Sequence, residues 1–274
     1  MSEQIIEMAH WLQTPVGQYL LDWESQQMDG AVADVFGYHA IQLGLPELEG
    51  LRANRMPHRW FLALQPPVPD ARANAAACAC DSVALPFPAA SLDLVLMPHT
   101  LEHSPDPHQT LREVERVLVP EGRVVITGFN LTSLWGFRQK RARLLRRLGL
   151  GSLYLPDGGE FIGYWRLRDW LRLLGFEVEL AAFGCYRPAV KHGGWLRRFA
   201  WMDRAGPRWW PILGAAYCVV AVKRVRGVRL IGATWKTVAA TVSKPVSVAN
   251  QLQPQDLSTP FRAPESVLGK ERAN

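Results

Sequence analysis

SLDLVLMPHTLEHSPDPHQTLREVERVLVPEGRVVITGF, residues 91–129, decides the fold. Its first eight residues are largely apolar and have strand character. Asp106 followed by Pro107 then makes a favourable N-cap and first-turn pair, because the carboxylate can accept an otherwise unpaired backbone N–H and proline needs none. In the helix predicted through HQTLREVERVL, Leu111, Val114, Val117 and Leu118 share one face while Glu113 and Arg116 point away. PEG at 120–122 is expected to end the helix and RVVITGF to form the next strand. Apolar strands alternating with an amphipathic helix predict a parallel sheet covered on both faces, a doubly wound α/β architecture.

Working outward, Ile5, Ile6, Met8, Leu12, Val16, Leu20 and Leu21 give a helical lead-in over residues 1–28, broken near Pro15. AVADVF at 31–36 is read as the first strand and RWFLAL at 59–64 as the second, stopped by the PPVPD run. Towards the other end, YWRLRDWLRLLGFEVELAAF reads as a helix over Leu167, Trp170, Leu171 and Leu174, a cap at Gly175 and a strand. AAYCVVAVKRV at 215–225 is the last strand. Residues 130–163 hold a basic helical pattern, RQKRARLLRRLGL, and the turn PDGGEF. An insertion after a strand's carboxyl end sits over the ligand crevice of such sheets, so this segment is a cap candidate. The pattern predicts one domain over 1–226 and a flexible tail over 227–274, where periodicity fades.

Composition narrows the partners. No stretch approaches the length of a membrane-spanning helix, and the first residues lack the basic and apolar regions of a secretion signal, so a cytoplasmic protein is expected. Cys78, Cys80, Cys185 and Cys218 have neither CxxC pairing nor zinc-finger spacing and are read as buried free thiols. The net charge of +6 permits an anionic partner, nucleic acid included, though that is not the favoured reading. Arginines and lysines cluster at 138–147 and 223–229. Trp195, Trp201, Trp209 and Trp210 would suit stacking on bases, but packing is the favoured reading.

Residues 81–129 resemble the middle of class I methyltransferases, in particular the type 11 methyltransferase domain related to ubiquinone and menaquinone biosynthesis enzymes. The likeness is collinear: Asp81 stands four residues before Leu85-Pro86-Phe87, Asp93 follows the serine opening the strand, and Leu101-Glu102-His103 and REVERVLVPEGR follow in order. GFEVEL and YCVVAVKR extend it over roughly 30–225. The resemblance implies a Rossmann-like, mostly parallel sheet with an antiparallel last strand, S-adenosyl-L-methionine as cofactor, and an unidentified methyl acceptor, anionic if the basic cap is a guide. It places Asp81 and Ser82 at the adenine and Met97 and His99 at the methionine portion. The glycine-rich turn after the first strand is reduced to Gly37, with Gly44 seven residues on, and Gln65 stands where an acidic residue would hold the ribose. A general base, where the acceptor needs one, would be His99 or His103.

Two other readings compete. His99-Thr100-Leu101-Glu102-His103 matches the inverted zinc-peptidase motif HxxEH, but that motif requires a helix, which Ser104-Pro105-Asp106-Pro107 interrupts, so no metal site is expected. A catalytically inactive methyltransferase fold that binds RNA or an anionic surface would accommodate both the missing glycines and the positive charge.

Overall fold

Strand order in the sheet is β3-β2-β1-β4-β5-β7-β6, so the chain builds outward from β1 to one side and then crosses to β4 on the other. This is a computed structural model that describes residues 2–64, 78–147, 153–156, 159–190 and 193–224. Helices α1 (Ser2–Leu12) and α2 (Pro15–Val32) precede β1 (His39–Leu43), β2 (His58–Ala63), β3 (Cys78–Ala79) and β4 (Leu92–Pro98). Helices α3 (Thr100–His103) and α4 (Pro107–Val117), β5 (Leu118–Phe129), α5 (Leu134–Arg147), α6 (Tyr164–Leu173) and β6 (Phe176–Gly184) follow. Helices α7 (Gly193–Arg198) and α8 (Met202–Trp209), a single 3₁₀ turn (Pro211–Leu213) and β7 (Ala216–Lys223) close the described chain.

The first four strands and β5 pair in parallel, and β7 runs antiparallel between β5 and β6. Alternation along the strands divides the core in two, as a pleat requires. Leu94, Leu96 and Val125 pack with Leu20, Met28 and Trp135 from α2 and α5. Val95, Met97 and Ile126 pack on the other face with Leu111 and Val114 of α4 and Leu167 and Leu171 of α6. The expected doubly wound sheet with an antiparallel last strand is therefore the observed one.

Local signals explain most boundaries. The Asp106 side chain accepts from Gln109 N at 2.9 Å with Pro107 opening α4, and Thr14 caps α2 ahead of Pro15 by accepting from Gly17 N at 3.2 Å. The break at Pro15 thus separates two helices. Gly175 adopts φ +82 between α6 and β6.

Some expectations are corrected. AVADVF is not a strand: α2 runs to Val32, because the spacing of Leu20, Glu24, Met28 and Val32, all buried, carries one helical face through it. The first strand is HAIQL, five residues of which four are buried. Pro120-Glu121-Gly122 lies inside β5, which begins directly after α4 at Leu118, with a shift in register beside it and Glu121 at φ 64. Cys185 and Cys218 are buried, but Cys78 is exposed and Cys80 half-buried, since β3 is a two-residue edge strand. The favoured packing role fails for three of the later tryptophans, with Trp195 53%, Trp201 57% and Trp209 74% exposed, while Trp210 is half-buried. Among the described residues no helix is long and apolar enough to cross a membrane. The expected tail, 227–274, lies outside the described residues.

Candidate active site

The crevice of a doubly wound sheet opens at the carboxyl ends of its strands, where the order reverses, here between β1 and β4. At the end of β1 the chain turns left-handed through Gly44 (φ +70) and Leu45 (φ 51). It then passes to β2 through residues 44–57 with no helix. Gln42, buried at the end of β1, holds this loop: its Nε2 donates to the carbonyls of Leu45 (3.1 Å) and Leu48 (2.6 Å), and its Oε1 accepts from Gly50 N (2.9 Å). One side chain supplies the hydrogen bonds that a helix would otherwise provide for this backbone. Across the crevice, Thr100 Oγ1 donates to Leu43 O at 2.7 Å and ties β1 to α3.

Directly after β4 lies a buried charged cluster. His99, 1% exposed, has Nδ1 2.7 Å from Glu102 Oε2 and Nε2 2.8 Å from Glu24 Oε1. Burial opposes charge on the ring, but the carboxylates of Glu24 and Glu102 outweigh it and raise the His99 pKa to about 10. His99 is thus an imidazolium between two acids. Glu102 Oε1 also accepts from Phe129 N at 2.6 Å, while Glu24 Oε2 is buried without a partner. His99 sits at φ 51, breaking the helical phase that HxxEH needs, and both its nitrogens are committed to carboxylates.

Four residues on, His103 is different. Burial lowers its pKa, Glu102 only partly opposes this, and its buried Nδ1 has no partner. It lines a cavity of about 830 Å³ whose other walls include Glu102, Leu131, Arg143, Phe161 and Arg166. Leu131, Arg143 and Phe161 of this wall belong to the 130–163 segment. The Arg143 guanidinium lies 5.3 Å from the centroid of the Phe161 ring, and Arg166 pairs with Glu160 at 3.3 Å.

The residues singled out in the sequence separate. Gly37 is corrected: it lies before β1, at the amino end, where a Cβ would stand 2.4 Å from Asp93 Cγ and where Asp93 Oδ2 accepts from Tyr38 N and His39 N. Met97 is fully buried among the α4-side apolar residues, so its side chain does not reach the crevice. Ser82 is buried and joined to Thr110 Oγ1 at 3.1 Å. Asp81 is exposed after the edge strand β3 and accepts from Val83 N at 3.1 Å. Gln65 lies outside the described residues.

Sequence reasoning missed Gln42 and Glu24, and noted Gly44 while placing the expected turn at Gly37. Gly44 had a signal in the apolar run immediately before it, and Glu24 one in being a lone carboxylate on the apolar face of α2. The role of Gln42 had none, because it depends on how the following loop folds back.

Comparisons with known proteins agree with this architecture. A family model described as "Methyltransferase domain" matches residues 65–126. The uncharacterised protein YafS of Escherichia coli K12 is 31% identical over 215 residues, covering 78% of this chain and 80% of YafS. The 27-O-demethylrifamycin SV methyltransferase of Amycolatopsis mediterranei is 32% identical over 101 residues, 37% of this chain and 35% of that enzyme. Among solved structures, a chain of the Haloferax volcanii complex between the Trm112 methyltransferase activator and a methyltransferase superposes with TM-score 0.56 at 15% identity, over 81% of this chain and 98% of that one. A SAM-dependent methyltransferase from Archaeoglobus fulgidus gives TM-score 0.52 at 16% identity, over 74% and 94%. At such identities these two likenesses speak for the fold.

Proposed function

We propose that this chain, which belongs to the class I methyltransferase family, takes S-adenosyl-L-methionine as its cofactor and methylates an anionic acceptor seated beside His103. The observation that carries the reading is the cavity at the carboxyl end of β4, walled by His103, Arg143 and Phe161. The residues fit the cofactor: the Gly44 turn brings backbone without a Cβ to the point where strand order reverses, and the exposed Asp81 carboxylate stands at the end of β3. Gly44 and Asp81 would hold it, with Gln65 assigned to the ribose as a weaker substitute for a carboxylate. When bound, the cofactor supplies an electrophilic methyl group on a sulfonium.

The protein's own contribution is position and proton transfer. Burial lowers the His103 pKa and so favours the neutral ring, and the imidazole on the cavity wall is the group that would take a proton from an oxygen or nitrogen acceptor. Arg143 and Arg166 draw a negatively charged acceptor towards the cavity, and Leu131 and Phe161 give it an apolar wall. The imidazolium of His99 touches neither ligand in this reading. It positions Glu102, which in turn fixes the Phe129 amide and the helix carrying His103.

Calorimetric titration with S-adenosylmethionine tests the proposal, with S-adenosylhomocysteine as competitor and Asp81→Ala as control. Saturable binding that the variant loses while keeping its fold is the expected result. No binding at millimolar cofactor by folded protein would overturn it.

A further inference from the structure

The segment after β6 places aromatic and cationic side chains in solvent with no use in the site above. Because β6 and β5 are both antiparallel to β7, β6 ends at the same edge of the sheet as β4. Helix α8 is anchored on its inner side, where Gly206 packs against the Tyr186 ring and Asp203 Oδ2 accepts from Arg187 Nε at 2.8 Å. At about 100° per residue, Trp201, Arg204 and Arg208 fall on the side away from Gly206. Trp195, Trp201 and Trp209 are exposed, as are Ile212 and Leu213 of the 3₁₀ turn. Arg197, Arg198, Arg204 and Arg208 are exposed among them, and no ion pair with another described residue holds any of the four. The one acidic residue between Gly193 and Leu213 is Asp203, and it is turned inward to Tyr19 and Arg187.

We propose that α7, α8 and the following turn dock the protein on an anionic lipid surface. Charge complementarity selects this occupant. Four guanidiniums, none in an ion pair with a described residue, match a layer of phosphate headgroups, although Arg197 shares a pocket wall with the exposed Asp22 and Arg198 lies 6.0 Å from the Trp195 ring centroid; indole rings with an apolar body and one N–H settle at the boundary between headgroups and acyl chains. Ile212 and Leu213 add aliphatic surface to the same contact. Docking in this way turns the carboxyl edge of the sheet, where the crevice opens, towards the bilayer. The inference stands independently of the methyl acceptor and of cofactor binding.

The experiment is co-sedimentation of the full chain with phosphatidylcholine vesicles, with and without phosphatidylglycerol, alongside Trp201→Ser/Trp209→Ser and Arg204→Glu/Arg208→Glu. Wild-type protein should pellet with the anionic vesicles and much less with phosphatidylcholine alone. Each double variant should lose at least about tenfold in partitioning. These side chains are exposed, so melting temperatures should match wild type; should the tryptophan variant fold poorly, the arginine variant decides. No binding by wild type, or undiminished binding by a folded arginine variant, overturns the proposal. So does displacement from vesicles by single-stranded RNA whose own binding depends on the same residues, which would make this face a nucleic-acid surface.

Discussion

The two ends of β1 carry one glycine each, seven residues apart, and they do opposite work. At the amino end, Gly37 lets the backbone pass against Asp93, whose carboxylate then caps the amides of Tyr38 and His39. At the carboxyl end, Gly44 turns the chain left-handed at the crevice, next to Thr100 and the His99 cluster. The first glycine is required by close packing and the second by a positive φ, and the proposed function gives only the second a place beside the cofactor. A glycine in a sequence announces a place where a side chain is unwelcome, without saying whether protein or ligand occupies the space.

Four substitutions sharpen or break this contrast. The largest effect is expected at the carboxyl end from His99→Ala, which leaves Glu24 and Glu102 buried without their cation. Unfolding in urea should show a loss of about 3–5 kcal/mol, whereas a loss below about 1 kcal/mol would mean the cluster is not closed to water. Its pH dependence follows from the raised pKa. The contribution is complete below the ordinary histidine value of 6.5 and is lost as pH rises towards about 10, so the wild-type urea midpoint should fall across that window and a His99→Gln midpoint should fall less.

Next comes Gly37→Ala, whose new methyl would meet Asp93. A cost of about 1–3 kcal/mol is expected from overpacking, with cofactor affinity by calorimetry unchanged; weakened affinity at full stability would erase the distinction between the two ends. Gly44→Ala should cost about 1–2 kcal/mol through its positive φ, with the added carbon pressed on Leu64, and, by shifting the turn that the proposed function places at the cofactor, should also weaken cofactor binding. The smallest stability effect belongs to Asp81→Ala, within about 0.5 kcal/mol because the side chain is exposed, yet cofactor affinity should drop. Intact affinity would remove Asp81 from the site.

His99 and His103 repeat the lesson within a single motif. Both were candidates for a base from their place after an apolar strand. Burial acts on both rings in the same direction, but His99 has two carboxylates in contact and its pKa is raised to about 10, while His103 has none so close and its pKa is lowered. Glu24 makes the difference, and it comes from a helix 75 residues earlier in the chain.

The sequence by itself determined the sheet and most of its covering. Apolar runs at 92–98, 124–129 and 216–222, the Asp106–Pro107 start of α4 and the Pro15 break are local signals, and local signals survive without knowledge of the fold. The place of Asp81 after β3 and of residues 130–163 after β5 followed from their order in the chain. Tertiary structure alone decided where β1 begins, because the alternation at 31–36 suits both a strand and the continuation of α2, and only the buried face through Val32 settles the choice. It alone decided which glycine turns at the crevice, which histidine is locked and which is open, and that Trp195, Trp201 and Trp209 face solvent. Each of these depends on a partner distant in sequence, and one-dimensional spacing carries no record of such a partner.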